Sequence, residues 1–309
     1  MKKEKALYKR NSSNAKYHIV KKHNDLIEAP LPFSLIEQKI LLAVIALFQE
    51  QTKDLQLFNN TIVFKASDVK KITGLSEDSF RKFESALDKL QSTLIEIKTK
   101  EKGNDERRVK VAFFTKAVYH SGVIEVTFDD EVVPFFTNLS THWTRYVAEQ
   151  TRPISSAYAL RMYELLKQYE NTENQYRVFS LDDLRRMLSA TDPAYATYAN
   201  FKLRVLKICQ QELDKTDMPF EYEEIRTGKK VTAIKCYLKR RVNGHELVMD
   251  LLTKRMDAQN AKDVIADIVI EGHKNGLRVK GDTLYVKRLQ GMIGSELEAI
   301  AGFVEWECE

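Results

Sequence analysis

The sequence predicts an α+β fold: two tandem winged-helix domains, each a helix-turn-helix followed by a β-hairpin wing, and a small C-terminal α+β extension. Three observations support this prediction. The chain has 309 residues, enough for two hydrophobic cores. The order of helix, helix-turn-helix and hairpin occurs twice. In both copies the second helix of the turn carries an apolar stripe of the same spacing, at an offset of 118 residues.

The same observations predict where the domains begin and end. Residues 1–16 are lysine-rich with few large apolar side chains, so we expect a basic flexible tail. We expect the first winged-helix domain over 17–150 and the second over 151–248. The extension over 249–309 is predicted as a helical stretch, strands over 277–280 and 283–286, and a final helix from about Ser295, and it suits a docking role.

In the first half, Ser34 and Glu37 have the spacing of a capping box ahead of the strongly apolar run over 40–48. This pattern predicts a buried helix. A helix-turn-helix is predicted next, and the apolar stripe of its second helix is formed by Phe80, Phe83, Leu87 and Leu90. The further elements predicted here are a helix over 68–73 that ends at Gly74, a helix from Ser76, a hairpin of strands over 94–98 and 107–119, and a strand over 123–128.

In the second half, Ser180 is the predicted N-cap of a helix, and Asp192 with Pro193 is predicted to start a long one. The long helix carries the second apolar stripe, formed by Tyr198, Phe201, Val205 and Ile208. The elements predicted here are helices over 155–169, from 180 to about 190 and from about 193, followed by a hairpin of strands over 220–225 and 230–239.

The composition excludes several classes of protein. The net charge is +5, and no apolar run approaches the roughly 18 residues of a membrane span. Because no secretory signal follows the basic N-terminus, we expect a cytoplasmic protein with no membrane partner. The three cysteines lack a C-x-x-C pairing, which favours reduced thiols over disulfides or a zinc site.

No pattern in the sequence predicts catalysis, a metal site or a cofactor. The phosphate-binding loop G-x-x-x-x-G-K-[ST] is absent, and the six histidines form no His-x-His pair of the kind that holds a metal in nicking enzymes. The adjacent acids Asp129, Asp130 and Glu131 point in different directions on a helix or a strand, which favours an acidic helix N-terminus over a cation site. We therefore expect a binding protein and not an enzyme.

Basic charge concentrates in three stretches of the chain. Residues 1–24 carry eight Lys and Arg against one Glu, residues 81–116 carry ten basic against six acidic side chains, and residues 199–241 carry eleven against six. The second and third stretches coincide with the second helix of each helix-turn-helix and the hairpin behind it. Double-stranded DNA is therefore the predicted partner.

The predicted contacts are residue types that read base edges or bind phosphate. Arg forms paired hydrogen bonds with guanine, and Asn or Gln with adenine, in a major groove that admits one helix. Basic hairpin side chains would reach phosphates. The candidates on the helices are Asn200, Arg204, Lys207 and Gln211 in the second domain and Arg81, Lys82, Ser85 and Lys89 in the first, and those on the hairpins are Lys229, Lys230, Lys100 and Arg107.

Each of these helices, taken alone, also fits the solvated face of any amphipathic helix. A basic hairpin behind each helix, found twice, favours DNA binding over that alternative. The aromatic residues of the two stripes are expected in the core, where they hold the helices in place, and not in a stacking platform for single strands.

Five segments carry a further signal: HNDLIEA (23–29), SLIEQKILL (34–42), SSAYALRMYELLKQY (155–169), SLDDLR (180–185) and YANFKLRVL (198–206). In this order they resemble the iteron-binding replication initiator (Rep) proteins of theta-replicating bacterial plasmids. The resemblance spans about residues 17–241 and agrees with the duplicated winged-helix plan. The segment from about 249 is longer than the family core needs, and residues 261–305 resemble a small docking domain.

The resemblance implies a protein that binds directly repeated sites, the iterons, at a plasmid origin as a monomer. It would promote origin opening and recruit the host chromosomal initiator and the replicative helicase. As a homodimer in equilibrium with the monomer, it would bind an operator inverted repeat and repress its own gene, which bears on plasmid copy control. The second winged helix would make the main groove contacts, and the first would supply further DNA contacts and the dimer interface.

Two other functions share part of this pattern. A transcriptional repressor with tandem winged helices has every DNA-binding feature and lacks only the origin-melting step. A nicking enzyme would use one of the thirteen tyrosines as its nucleophile.

Overall fold

The computed structural model describes residues 18–52, 60–76, 78, 81–100, 106–120, 122–137, 139–170, 172, 175–239, 277–279 and 306–308. The chain divides into two units, with the boundary after Lys239. The predicted tail over 1–16 and most of the predicted extension over 249–309 lie outside the described residues. None of the helices within these ranges is long and apolar enough to cross a bilayer.

The elements of the first half, in chain order, are β1 (Ile19–His23), α1 (Asn24–Glu28), α2 (Leu35–Thr52), β2 (Thr61–Lys65), α3 (Ala66–Thr73), α4 (Phe83–Ser92), β3 (Ile95–Lys100), β4 (Glu106–Val111), β5 (Phe114–His120), β6 (Val123–Phe128), a short 3₁₀ turn (Val133–Phe135), β7 (Trp143–Val147) and a second 3₁₀ turn (Ala148–Thr151).

Local sequence signals set the ends of the first helices as predicted. The Ser34 N–H donates to the Glu37 carboxylate over 2.7 Å, and the Glu37 N–H donates to the Ser34 hydroxyl over 3.4 Å, which closes the capping box at the start of α2. Helix α3 ends at Gly74, whose φ of 65° lies in the left-handed region that glycine adopts at little cost. Helix α2 packs against α4 and β1, so this buried helix is the centre of the first domain.

The hairpin predicted over 94–98 and 107–119 is wrong in one respect. The predicted strand is interrupted at Ala112 and Phe113. The part before the interruption, β4, pairs with β3, and the part after it, β5, pairs with β6. The buried Phe113 causes the change of partner: its N–H donates to the Leu90 carbonyl over 3.2 Å, and its carbonyl accepts from the Asp129 N–H over 3.1 Å. The hairpin β3–β4 is therefore a separate two-stranded sheet.

The elements of the second half, in chain order, are α5 (Ala157–Lys167), β8 (Tyr176–Ser180), α6 (Leu181–Met187), a 3₁₀ turn (Pro193–Tyr195), α7 (Tyr198–Phe201), a π-helical turn (Lys202–Leu206), α8 (Lys207–Leu213), β9 (Phe220–Thr227) and β10 (Lys230–Leu238).

The sheet topology confirms two winged-helix domains. In the first half, the strand order is β2-β6-β5, with the helix-turn-helix α3–α4 inserted after β2. In the second half the order is β8-β10-β9, with α6 and the α7–α8 rod inserted after β8. Because the two orders correspond strand by strand, the wing equivalent to β9–β10 is β5–β6, and the basic hairpin β3–β4 is an addition peculiar to the first domain.

One predicted cap of the second half is confirmed and one is wrong. Ser180 caps α6, since its hydroxyl accepts from the Asp183 N–H over 3.1 Å. Asp192 caps the 3₁₀ turn that starts at Pro193 and not the long helix, which begins at Tyr198. Asp192 is a cap, as predicted, but the helical segment that it starts ends at Tyr195 after a single 3₁₀ turn.

A buried carboxylate joins helix α5 to the strands β1 and β7. Glu164 on α5 accepts from the Lys22 ammonium on β1 over 2.6 Å and from the Arg161 guanidinium over 2.7 Å, and it also accepts from the Tyr146 hydroxyl on β7. Burial alone would raise the pKa of the Glu164 carboxyl, but Lys22 and Arg161 outweigh it and hold that pKa below its ordinary value. The carboxylate is therefore charged in the folded chain.

Arg161 extends this network to the loop that follows α1. Its side chain is only 1% exposed, and it donates to the carbonyls of Ile27 and, over 2.8 Å, Ala29. Apolar residues from both domains form one continuous buried cluster around the network. The loop after α1 and helix α5 are thus fixed to each other by one planar guanidinium.

Two short strands are described in the second unit of the chain. The strand β11 (Leu277–Val279) pairs antiparallel with β12 (Trp306–Cys308). The strand β11 lies within the predicted strand over 277–280. The strand β12 lies after about Ser295, in the region where a helix was predicted. The predicted partner strand over 283–286 lies outside the described residues.

We expect Arg161→Ala to lower the free energy of unfolding by about 3–5 kcal/mol, because it leaves a buried carboxylate and the carbonyls of Ile27, Ala29 and Met187 short of a donor. Urea denaturation measures this change. The matched control is Arg81→Ala, whose exposed ion pair with Asp78 spans 3.5 Å, so a loss below about 1 kcal/mol is expected. Equal losses in the two variants would contradict the role given to Arg161.

Candidate nucleic-acid interface

The second domain presents a long helical rod, α7 to α8, on its surface. Its inner side is set by fully buried apolar residues, among them Phe201, Val205 and Cys209. The Arg185 guanidinium of α6 lies 5.3 Å from the ring centre of Phe201, and the Glu212 carboxylate near the end of the rod accepts from the Ser155 N–H over 2.7 Å. The rod is therefore fixed at both ends on the body of the domain.

A π-helical turn in the rod corrects the predicted apolar stripe. The Lys207 N–H donates to the Lys202 carbonyl, five residues earlier, so the turn over 202–206 contains one extra residue. Ahead of this turn the offset of 118 holds, since Phe83 and Phe201 are both buried. Beyond it the offset becomes 119, and the counterpart of the buried Leu90 is Cys209. Ile208, predicted on the inner stripe, is exposed. Phe80 of the first stripe lies outside the described residues.

The outer face of the rod carries three of the four predicted contacts. Arg204, Lys207 and Gln211 are exposed. Neither cation has an ion-pair partner within the part of the chain that the structure describes. Asn200 differs, because it is half-buried and its amide donates to the Ala194 carbonyl over 2.9 Å. Asn200 thus holds the 3₁₀ turn against the rod. The sequence predicted one continuous helix from about 193, without this separate 3₁₀ turn, and therefore placed Asn200 on the outer face.

The wing β9–β10 presents two exposed lysines at its tip. Lys229 and Lys230 follow Gly228, whose φ of 60° makes the tight turn possible. No carboxylate in the described ranges pairs with either lysine. This tip is therefore a concentrated positive charge beside the rod, as predicted from the sequence.

Glu224 joins the wing to the rod. Its carboxylate accepts from the Tyr198 hydroxyl and from the Lys202 ammonium, each over 2.7 Å, and pairs with Arg226 on its own strand. Hydrogen bonds from Lys202 and Tyr198 lower the pKa of Glu224 to about 2, from an ordinary value of 4.5. The wing and the rod thus share one charged clamp that fixes their relative position.

The first domain presents a more mixed surface. Lys82, Ser85 and Lys89 are exposed as predicted, on or just before α4. Arg81 is also exposed and lies 3.5 Å from the Asp78 carboxylate. Two acids, Glu84 and Asp88, share the exposed side of this helix. Because their charge offsets that of the lysines, α4 attracts a polyanion less strongly than the α7–α8 rod does.

The hairpin β3–β4 is partly neutralised. Arg107 donates to the Glu131 carboxylate over 2.7 Å, and the Lys110 ammonium lies 3.8 Å from the Glu96 carboxylate. Lys100 belongs to β3, but its side chain lies outside the described residues. The pair between Arg107 and Glu131 ties this hairpin to the segment that precedes the 3₁₀ turn, so Arg107 has a structural partner as well as a surface position.

The other predicted chemical groups have ordinary structural roles. The Asp129 carboxylate accepts from the Glu131 N–H, and the Asp130 carboxylate accepts from the Asn60 amide. These acids lie in a turn ahead of the 3₁₀ turn, and each is engaged separately. Burial raises the pKa of the Cys236 thiol to about 12 and raises that of Cys209 as well, so both thiols are protonated at neutral pH.

Two family models match the chain. The model described as "Initiator Replication protein, WH1" matches residues 19–167, and the model described as "Initiator Rep protein, WH2" matches residues 180–237. Together they cover more than half of the chain and correspond to the two winged-helix domains.

Among solved structures, the chain is similar in fold to the Pi initiator protein, whose crystal structure is in complex with iteron DNA. The TM-score is 0.59 at 17% sequence identity, over 74% of this chain and 100% of that chain. Domains 2 and 3 of RctB match with a TM-score of 0.39 at 11% identity, over 75% of this chain and 90% of that one. The WH1 domain of a replication protein isolated from a multiple sclerosis patient matches with a TM-score of 0.25 at 17% identity, over 33% and 77%.

The Glu224 clamp gives a pH-dependent prediction. Because the pKa of Glu224 is lower in the folded chain, its contribution is present above about pH 4.5 and is lost as the pH falls toward 2. We expect Glu224→Gln to cost on the order of 1–2 kcal/mol at pH 7, and the gap from the wild type to close on acidification. Urea unfolding from pH 7 down to pH 3 measures this.

The control for this variant is Glu223→Gln, which changes the neighbouring exposed carboxylate on the same strand. Its hydrogen bond from the Tyr237 hydroxyl lies on the exposed surface, so a cost below about 1 kcal/mol is expected. A gap between the wild type and Glu224→Gln that stays constant with pH would count against the clamp.

Proposed function

Since the chain belongs to the family of initiator replication proteins, we propose that it is a sequence-specific double-stranded DNA-binding protein that starts plasmid replication by binding iterons at the origin. The observation that carries this proposal is the outer face of the α7–α8 rod, where Arg204, Lys207 and Gln211 are exposed beside the lysine tip of a wing. A major groove admits one such helix, and we propose that the wing tip contacts the adjacent phosphate backbone.

The two domains have different parts in this proposal. The α7–α8 rod supplies the base contacts, because no acidic side chain interrupts its exposed face between Arg204 and Gln211. The first domain adds phosphate contacts through Lys82 and Lys89, and its acids Glu84 and Asp88 limit how closely α4 approaches DNA. The fold similarity to an initiator solved with iteron DNA supports the same mode of binding.

The finer steps follow from the family resemblance. We propose that the bound monomer promotes opening of the origin and recruits the host chromosomal initiator and replicative helicase in the cytoplasm. We also propose that a homodimer represses the chain's own gene.

Sedimentation at graded protein concentrations tests the dimer, and a single species throughout would contradict it. The protein acts by binding, so supercoiled origin DNA with Mg²⁺ should yield no covalent protein–DNA adduct.

Replication of a plasmid tests the function directly. The gene and its flanking DNA are placed on a plasmid that has no other origin, and transformants are counted. We expect replication with the wild-type gene and loss of it with Arg204→Ala. Footprinting should show protection of direct repeats in the flanking DNA. Protection without replication would favour the alternative function, a transcriptional repressor with no origin-melting role.

Single substitutions separate base contacts from phosphate contacts. Arg204→Ala should weaken binding to the protected repeat by about 1–3 kcal/mol and relax its sequence preference, because a paired contact to guanine is lost. Lys229→Ala should weaken binding to all sequences alike and lower the salt slope by about one. Fluorescence anisotropy at several salt concentrations measures both changes.

The control for these variants is Arg145→Ala. It removes an exposed positive charge from β7, which belongs to neither helix-turn-helix unit, so a small change in affinity is expected. Equal losses of Arg204→Ala on cognate and random DNA would show that Arg204 does not read bases.

A further inference from the structure

Two large apolar side chains are exposed on the outer face of the α7–α8 rod. Leu203 is 58% exposed and Ile208 is 37% exposed. They lie among Arg204, Lys207 and Gln211, the polar residues of the same face. No function described so far uses these two side chains, and the sequence placed Ile208 in the core.

The π-helical turn accounts for the exposure of Ile208. The turn over 202–206 has the i to i+5 hydrogen bond of a π-helix, from the Lys207 N–H to the Lys202 carbonyl. The extra residue rotates Ile208 out of the inner stripe, where its counterpart Leu90 is fully buried in the first domain. The sequence therefore exposes an isoleucine at the cost of a regular helix.

We propose that Leu203 and Ile208 determine specificity by contacting the 5-methyl groups of thymines in the bound site. This inference rests on the proposed function and adds to it a requirement for thymine at defined positions. The 5-methyl group of thymine is the apolar group that a base pair presents in the major groove, and aliphatic side chains are suited to contact it. The flanking cations favour a polyanion over an apolar protein surface on this face.

The contact adds a kind of readout that the polar residues do not supply. Arg204 and Gln211 discriminate by hydrogen bonds, which serve guanine and adenine. An aliphatic side chain against a methyl group discriminates thymine from cytosine, which has no such group. The rod thus reads both polar and apolar base edges within a short span of the groove.

Replacing thymine by deoxyuridine tests this contact, because it removes the methyl group and leaves base pairing intact. The probe is a duplex of the footprinted repeat in which each thymine is replaced by deoxyuridine in turn. Burial of one methyl corresponds to roughly 0.8 kcal/mol, so the wild type should lose about fourfold in affinity at one or more positions. Leu203→Ala or Ile208→Ala should be insensitive to deoxyuridine at the position that each side chain contacts.

The matched control is Leu94→Ala, which removes a side chain that is 65% exposed ahead of β3 and should respond to deoxyuridine as the wild type does. Circular dichroism of each variant checks that the helix is retained. If the wild type binds every deoxyuridine duplex as tightly as the original, or if the two variants lose affinity on all duplexes alike, the thymine contact is wrong. In both cases specific loss with Arg204→Ala would leave the proposed function intact, whereas no protected repeat at all would overturn that function.

Discussion

The Glu164 carboxylate of α5 lies against the strands β1 and β7 with two cations, Lys22 and Arg161, beside it and almost no solvent around it. Taking three charges out of water costs several kcal/mol per ion, and their attraction offsets this only when every donor and acceptor is used. Here the Tyr146 hydroxyl and the backbone carbonyls bound by Arg161 complete the set. The network therefore fixes α5 against β1, β7 and the loop after α1.

The two helix-turn-helix units are not equivalent. Each repeats the same order of strands around its helix-turn-helix, yet the exposed face of α4 mixes lysines with Glu84 and Asp88, whereas the rod has no acid between Arg204 and Gln211. A surface of mixed charge positions a partner weakly, and a row of unpaired polar side chains with a rigid wing discriminates between partners. The clamp at Glu224 joins wing and rod, so in the proposed mode of binding their contacts with phosphates and bases would be made together.

Much of the fold could be predicted because its signals are local. The cap at Ser34, the cap at Ser180 and the left-handed Gly74 depend on neighbours within three or four residues. The wrong predictions concern residues whose hydrogen-bond partners lie farther away along the chain. The strand break at Phe113 depends on the carbonyl of Leu90, and the role of Asn200 depends on the carbonyl of Ala194.

The π turn could not be predicted for a different reason. A pattern of 3.6 residues per turn has no position for an inserted residue. The π turn displaced Ile208 from the predicted core while leaving Arg204, Lys207 and Gln211 on the outer face. The polar side chains on the outer face of the rod were therefore predicted, except for Asn200, and the two exposed apolar side chains were missed. An excess of large apolar residues on one helix was the available signal: Leu203 and Ile208 do not fit on one stripe with Phe201 and Val205.

Polar and apolar contacts on one helix respond differently to the solution around them. In the proposed mode of binding, contacts of Lys229 and Lys230 with phosphate would release counterions, so they would weaken as salt is added. A contact between an aliphatic side chain and a thymine methyl involves no ion, and the hydrophobic effect that drives it is insensitive to moderate salt. A protein with both kinds of contact loses non-specific affinity faster than specific affinity when ionic strength rises. If Leu203 and Ile208 contact thymine as proposed, the rod would keep its preference for a sequence at ionic strengths at which its cations alone would hold DNA weakly.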